Sequence, residues 1–279
     1  MSTSGDGLHK VQTGSGRLAG KVAIVTGFSI HAGAASGFGL ATTQKFLEEG
    51  AKVVAADVNS EALEANVAGS AALSSASSHR VATITANVTS ADDWKAMVDL
   101  AETKFGGLDI VVNNAGTSYR NKSTLEVTEE EFDKVFAVNV KSVFLSVPVA
   151  VPALKRRGGG SIVNVASIGA LRPRPGLVWY NASKGAVANA TKGLAAEFGK
   201  DGIRVNALCP LLSRTGLFES FVGLPPTEEN TKKFLFNVPL GRLTEGADVA
   251  NAATYLVSDE GRFITGVNLE VDGGRAVGA

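Results

Sequence analysis

The chain has 279 residues, 44% of them hydrophobic, enough to bury a large core within one domain. Its 27 basic and 27 acidic residues cancel, which excludes a whole-protein field that would draw in nucleic acid or an anionic membrane surface. The single cysteine, Cys209, excludes an internal disulfide; flanked by Ala207 and Leu208 it reads as a strand-filling residue, and a reducing compartment follows.

Residues 1–17 are rich in Gly, Ser and Thr, lack the apolar centre of a secretory signal, and read as a loose tail. No later stretch reaches about 18 uncharged apolar residues, so a cytoplasmic protein with no membrane span is expected. From Leu18 onward, over 18–279, β-branched runs at 21–26, 52–57, 81–88, 110–113, 161–165, 205–209 and 267–271 alternate with longer amphipathic segments. Strand then helix, repeated, predicts an α/β, doubly wound parallel sheet of seven strands with about six long helices on its two faces. Ligands of such sheets bind at the carboxyl ends of the strands, so functional residues are expected just after Thr26, Asp57, Val88, Asn113, Val165 and Cys209.

The first run ends in Thr26-Gly27, and the small-residue pattern Gly33-Ala34-Ala35-Ser36-Gly37-Phe38-Gly39 opens a helix whose apolar face carries Leu40, Phe46 and Leu47. Glycines there let backbone approach a pyrophosphate and aim a helix N-terminus at it; alternatively they merely let helix and strand pack closely. The second run ends at Asp57, placed to accept hydrogen bonds from an adenosine ribose diol and to repel a 2′-phosphate, or else to cap the next helix. Val58 and Asn59 bring no arginine for such a phosphate, and NAD is expected over NADP. Farther along, 69–78 reads as a solvated loop, Glu129-Glu130-Glu131 as an exposed first helical turn, and 213–236 as a long irregular stretch. Gly50 and Gly202 punctuate helix ends ahead of strands.

A helix starting near Val178, with Val187, Thr191, Leu194 and Ala195 on its apolar side, carries Tyr180 and Lys184 one turn apart on a shared face. The ammonium is expected to lower the phenol's pKa toward use as an acid and base. Ser167, closing the fifth run, can bring its hydroxyl to the same cleft. Each has a plain alternative: Ser167 a helix cap, Tyr180 a packed aromatic, Lys184 a solvated charge, Asn139 a turn former.

Through Asn113-Asn114-Ala115-Gly116, Asn139, Ser167 and Tyr180-Asn181-Ala182-Ser183-Lys184, taken with the glycine pattern, the chain resembles the short-chain dehydrogenase/reductase family from about Leu18 to Gly274. The resemblance implies a single Rossmann-type domain assembled as a homo-oligomer, usually a homotetramer. It implies a catalytic set of Asn139, Ser167, Tyr180 and Lys184, with Asn139 holding a proton-relaying water and Lys184 also bonding the nicotinamide ribose. Gly27, Ser36, Gly37, Phe38, Gly39, Asp57 and Val58 would meet the cofactor's phosphates and ribose, Asn87 and Val88 its adenine, and Asn114, Ala115 and Gly116 the cleft wall. Pro210 to Thr215 would reach the nicotinamide. The chain departs from the family in a six-residue insertion from Phe28 to Gly33, either a solvent bulge or an inward fold that brings His31 to the pyrophosphate. It departs again in Asn87, where an acid is usual, and in Leu211, which follows Pro210 in place of a glycine and should crowd the carboxamide.

No metal is expected. Candidates for the substrate side are Ser118, Tyr119, Ile168, Arg172, Arg174, Leu177 and Trp179, with Leu217, Phe218, Phe221, Phe234 and Phe236 on a lid around 213–236. The aromatic residues either bind an apolar, ring-containing small molecule or pack the lid; Arg172 and Arg174 either recognise an anion or, between prolines, mark an exposed loop. The predicted activity is hydride transfer between a nicotinamide and a secondary alcohol/ketone pair. Competing readings are a reductase of 3-oxoacyl thioesters or polyketide ketones, and a non-redox binding or cyclisation module on the same fold.

Overall fold

Along the first strand Val22 and Ile24 face one side, Ala23 and Val25 the other, and all four are buried, as a strand covered on both faces requires. A computed structural model of the protein describes residues 16–28, 37–69, 79–213, 221–225 and 227–278. Seven strands, β1 (Val22–Thr26), β2 (Lys52–Asp57), β3 (Val81–Thr85), β4 (Ile110–Asn113), β5 (Gly160–Val165), β6 (Ile203–Pro210) and β7 (Asn268–Val271), form one sheet in the order β3-β2-β1-β4-β5-β6-β7. Every pairing is parallel.

Among the described residues the helices are α1 (Phe38–Glu48), α2 (Ser60–Gly69), α3 (Ala91–Phe105), α4 (Glu129–Phe136), α5 (Ser142–Arg156), α6 (Val178–Phe198), α7 (Glu228–Leu235) and α8 (Gly246–Val257). On one face Leu40, Phe46 and Leu47 of α1 and Val249, Ala253 and Leu256 of α8 pack on Ala23, Val25, Val53 and Val112. On the other, Trp94, Met97 and Phe105 of α3 and Val151 and Leu154 of α5 pack on Val22, Ile24, Val54 and Val111. The sheet thus carries two cores, the doubly wound arrangement that the alternating pattern predicts.

Four expectations need adjustment. The third strand stops at Thr85, not at 88, because the Asn87 side chain accepts from Thr89 N at 3.0 Å and turns the chain toward Ser90, which caps α3. The stretch 213–236 is not irregular throughout: Thr227 accepts from Asn230 N at 3.2 Å and starts α7. Phe28, first residue of the insertion, lies in the core with its N–H on Ala56 O at 3.2 Å, while the rest of the insertion, His31 and Gly33 included, and Ser36 after it lie outside the described residues. The helical run Glu129–Arg156 is long and apolar enough by composition to cross a membrane; Lys141 interrupts it, and Val143, Ala150, Val151 and Leu154 bury one side of it against the fold. The loop residues 70–78 and the lid residues 214–220, with Thr215, Leu217 and Phe218, are also outside the described residues.

Candidate active site

The sheet order reverses between β1 and β4, and the connections after these two strands leave toward opposite faces, opening a cleft at their carboxyl ends. Asn114 ties the two rims together. Its Nδ2 donates to the carbonyls of Thr26 and Gly27, both at 2.9 Å, and the Thr26 hydroxyl accepts from the N–H groups of Asn114 and Ala115 at 3.2 Å. Gly27 turns at φ +66°, where a Cβ would lie 2.7 Å from Ala115 Cα. A Cβ on Gly39 would strike the Gly27 carbonyl oxygen. The glycines therefore do let α1 close on β1, and the same packing aims the start of α1 at the cleft, where Gly37 and Phe38 line it. Gly37, the N-cap, brings no side chain to this N-terminus, and no side chain among the described residues caps it, so its first-turn N–H groups can serve an anion such as a pyrophosphate.

Asp57, buried at the end of β2, lines the same cavity and accepts from Asn59 N at 3.0 Å. It does not cap α2: Asn59 does, its Oδ1 accepting from Ala62 N at 2.9 Å. Of the other cofactor candidates, Ala115, Gly116, Pro210, Tyr180 and Lys184 line the cavity. Val58 turns outward and is 68% exposed. Neither Asn87, exposed beyond β3, nor Val88, whose carbonyl accepts from Trp94 Nε1 at 3.0 Å, is part of the lining.

Ser167, Tyr180 and Lys184 meet at the far wall. Helix α6 brings the tyrosine and lysine inward together, and Ser167 caps the short turn Ile168–Ala170 by accepting from Gly169 N at 3.0 Å. Burial pushes the phenol up to about 12, with the Ser167 hydroxyl opposing part of the shift. Burial likewise pushes Lys184 down to about 8, and its Nζ donates to Val165 O at 2.7 Å. The net shift at the phenol is therefore upward and set by desolvation, and the downward pull expected of the ammonium is not among its causes. Nζ is turned to a carbonyl, 6.0 Å from the Tyr180 ring centre. Cys209, buried beside them and held up at about 11 by its burial, is packing, as read from the sequence.

Asn139 sits behind Gly116 in a π-helical turn, Ala137–Lys141, that joins α4 to α5. Its amide donates to Thr117 O at 3.0 Å and Ser183 Oγ at 2.9 Å and accepts from Thr117 N at 2.8 Å. Both amide hydrogens are thus engaged and Oδ1 keeps one free lone pair, so a water held by Asn139 would donate to Oδ1 or use the main chain.

The family model described as enoyl-(acyl carrier protein) reductase matches residues 33–276. The 4-formylbenzenesulfonate dehydrogenase of Comamonas testosteroni is 47% identical over 92% of this chain and 98% of its own. The chain belongs to the short-chain dehydrogenase/reductase family. The 2,5-dichloro-2,5-cyclohexadiene-1,4-diol dehydrogenase of Sphingobium indicum is 38% identical over 94% of this chain and 98% of its own. Among solved structures, a 3-ketoacyl-(acyl-carrier-protein) reductase from Brucella melitensis complexed with NADH superposes with TM-score 0.82 at 38% identity, covering 93% of this chain and all of that one. This short-chain dehydrogenase/reductase is accordingly a nicotinamide-dependent oxidoreductase on a Rossmann-type sheet.

Of the residues the sequence offers for substrate, Ile168, Arg172, Arg174, Leu177, Phe221 and Phe234 line the cavity of this dehydrogenase/reductase. Phe221 stands edge-on to Tyr180, ring centres 4.8 Å apart. Four substrate candidates among the described residues are not part of the cavity's lining: Tyr119, whose hydroxyl accepts from Trp179 N at 3.0 Å, Phe236, which is 82% exposed, Trp179 and Ser118. Trp179, one position round α6 from Tyr180, packs edge-on to Phe132 at 5.4 Å, and Ser118 turns its hydroxyl to Tyr119 O at 3.0 Å. Leu211 lines the cavity beside Pro210, where crowding is expected. Sequence reasoning missed Thr117, Asn181 and Arg275, which also line the cavity. For Asn181 the signal was adjacency to Tyr180; Arg275, at the far end of the chain, offered none.

Proposed function

We propose that the protein is an NAD-dependent dehydrogenase/reductase interconverting a secondary alcohol and a ketone, with Tyr180 as the proton donor and acceptor. The observation that carries this is the convergence of Ser167, Tyr180 and Lys184 on the wall of a cavity whose other end holds Asp57 and the uncapped start of α1. Bound NAD supplies the hydride acceptor for oxidation, and NADH the donor for reduction. Asp57 accepts from the adenosine ribose diol, and its charge disfavours a 2′-phosphate. Ser167 holds the substrate oxygen, and the Tyr180 phenol exchanges a proton with that same atom. Lys184, the buried cation next to them, orients the cofactor's ribose and stabilises the phenolate as it forms. Asn139 is a positioning residue that fixes the main chain of Thr117 beside it. With the phenol neutral at ordinary pH, the site is set to donate a proton, which suits ketone reduction.

A second reading, reduction of 3-oxoacyl thioesters, is favoured by the likeness to acyl-carrier-protein reductases. Acetoacetyl thioester turned over faster with NADPH than any simple ketone with NADH would select it. The homo-oligomer and the cytoplasmic location remain part of the proposal. The first draws support from the exposed Phe144 on α5 and Phe263, and light scattering of the purified protein tests it; cell fractionation tests the second.

The deciding experiment titrates the protein with NADH and with NADPH by nicotinamide fluorescence, then assays Tyr180→Phe. We expect NADH to bind at least about tenfold more tightly than NADPH, and the variant to bind NADH normally while losing more than about 99% of turnover. Wild-type-like turnover by Tyr180→Phe, or binding of neither nucleotide, would remove the assignment.

A further inference from the structure

Three arginines, Arg172, Arg174 and Arg275, line one part of the cavity together with Phe221 and Phe234. Among the described residues none of the three makes an ion pair. Arg172 holds the C-terminal segment in place, its Nη1 donating to the carbonyls of Arg275 at 2.9 Å, Ala276 at 3.1 Å and Gly278. That contact sets Arg275 on the cavity wall. The carboxylate next in the chain, Asp272, accepts from Gly274 N at 2.9 Å and Ala276 N at 2.6 Å. Nη1 of Arg275 is buried with no acceptor. The Arg174 guanidinium lies over the Phe234 ring at 5.5 Å, and its pKa is lowered by burial and by the charge of Arg275.

Arg174 and Arg275 are partly buried cations without an ion-pair partner among the described residues, and Asp272 only partly offsets the burial of Arg275 and its repulsion by Arg172; such a pair is costly to hold unless an anion completes it. The cofactor's phosphates do not suit that place. Arg172 and Arg174 belong to the loop that follows β5, whereas the start of α1, where the first-turn N–H groups can serve the pyrophosphate, follows β1, two strand spacings away across the sheet, roughly 10 Å at about 4.8 Å per strand. The arginines stand with Tyr180 and Phe221, on the side that receives substrate.

We propose that Arg174 and Arg275 form an anion subsite, and that the substrate is a ring-bearing carboxylate or sulfonate whose charged end they hold while its carbonyl or alcohol carbon faces Tyr180. The apolar body lies along Phe221 and Phe234, and Arg172 is the positioning residue that keeps Arg275 in the wall. The orientation of substrate rests on the role given to Tyr180 above; the subsite itself does not.

The test therefore has two arms. In the first, benzoate, benzenesulfonate and neutral benzamide are titrated calorimetrically into the protein saturated with NADH. The anions should bind at least about tenfold more tightly than benzamide, an advantage that shrinks with added salt and is lost in Arg174→Ala and Arg275→Ala. Arg174→Lys, which keeps the charge but not the fork, should retain part of it. In the second arm, reduction of 4-acetylbenzoate is compared with that of 4-methylacetophenone. The kcat/KM ratio should exceed about ten and fall toward one in Arg174→Ala. Benzamide binding as tightly as the anions to the unaltered protein overturns the subsite, whatever the variants do. Arginine-dependent anion binding without turnover of either ketone upholds the subsite and removes the redox reading; equal turnover of both ketones does the reverse.

Discussion

At Tyr180 and Lys184, burial decides the charge states before any ligand arrives. A lysine in the unfolded chain titrates near about 10.4, whereas Lys184 in the fold is pushed down to about 8 by its burial. Between those values the unfolded chain binds the extra proton, so stability rises with pH across that window, and below it the fold carries the cost of a buried charge. Lys184→Met should therefore raise the melting temperature at pH 7, by the equivalent of roughly 1–3 kcal/mol, an advantage that fades as pH climbs from about 8 toward about 10. Turnover should be lost in the same variant, a stability gained at the expense of function. Calorimetry across that pH range checks it; equal stability of the two proteins at pH 7 would show that the ammonium is adequately solvated. The Tyr180 and Lys184 pairing was legible from a one-turn spacing alone. The direction of their pKa shifts was not, because desolvation depends on residues such as Val165 and Phe221 that lie far off in sequence.

Among the elements, the joint between β1, α1 and β4 governs the cofactor end. Asn114 spans the gap with two hydrogen bonds, and Gly39 allows α1 to sit against the Gly27 carbonyl. Gly39→Ala has a high helix propensity in its favour, yet its methyl group must push helix from strand. We expect a loss of about 1–3 kcal/mol in stability and a weakening of NADH binding by more than about tenfold, read by urea unfolding and nucleotide titration. The strand ends and the long helices could be read from periodicity. Helix α7 could not: its eight residues are mostly polar, and what starts it is the local cap at Thr227.

For the molecule as a whole, closure of the domain brings distant charges together. Glu49, at the end of α1, accepts from Arg17 Nη2 at 2.6 Å, from Arg17 N at 3.2 Å, and pairs with Lys45 at 3.0 Å, while Arg17 also reaches Glu260 at 3.3 Å. Arg17 chiefly holds the Glu49 carboxyl down at about 2, against an ordinary value of 4.5. Since the folded state binds this proton less readily, the group stabilises the fold above pH 4.5, and the contribution drains away as pH falls toward about 2. Glu49→Gln should cost about 2 kcal/mol at pH 7 and little at pH 2.5, a difference that chemical unfolding at the two pH values measures. A constant cost at both would assign the effect to packing.

What the sequence by itself determined is what repeats locally. Alternating β-branched runs and amphipathic segments dictate a parallel sheet with two covered faces, and short-range spacing placed Gly27, Gly37, Asp57, Ser167, Tyr180 and Lys184 near the strand ends and helix starts where they line one cleft. Only the tertiary structure decided which side chains point into it. Trp179 turns to Phe132, the Asn139 amide is taken up by Thr117 and Ser183, and Arg275 joins the cavity wall because Arg172 pins the carbonyls of the C-terminal segment. Those outcomes rest on contacts between segments as many as a hundred residues apart, which no local period encodes and which exist only once the sheet has brought its strand ends into register.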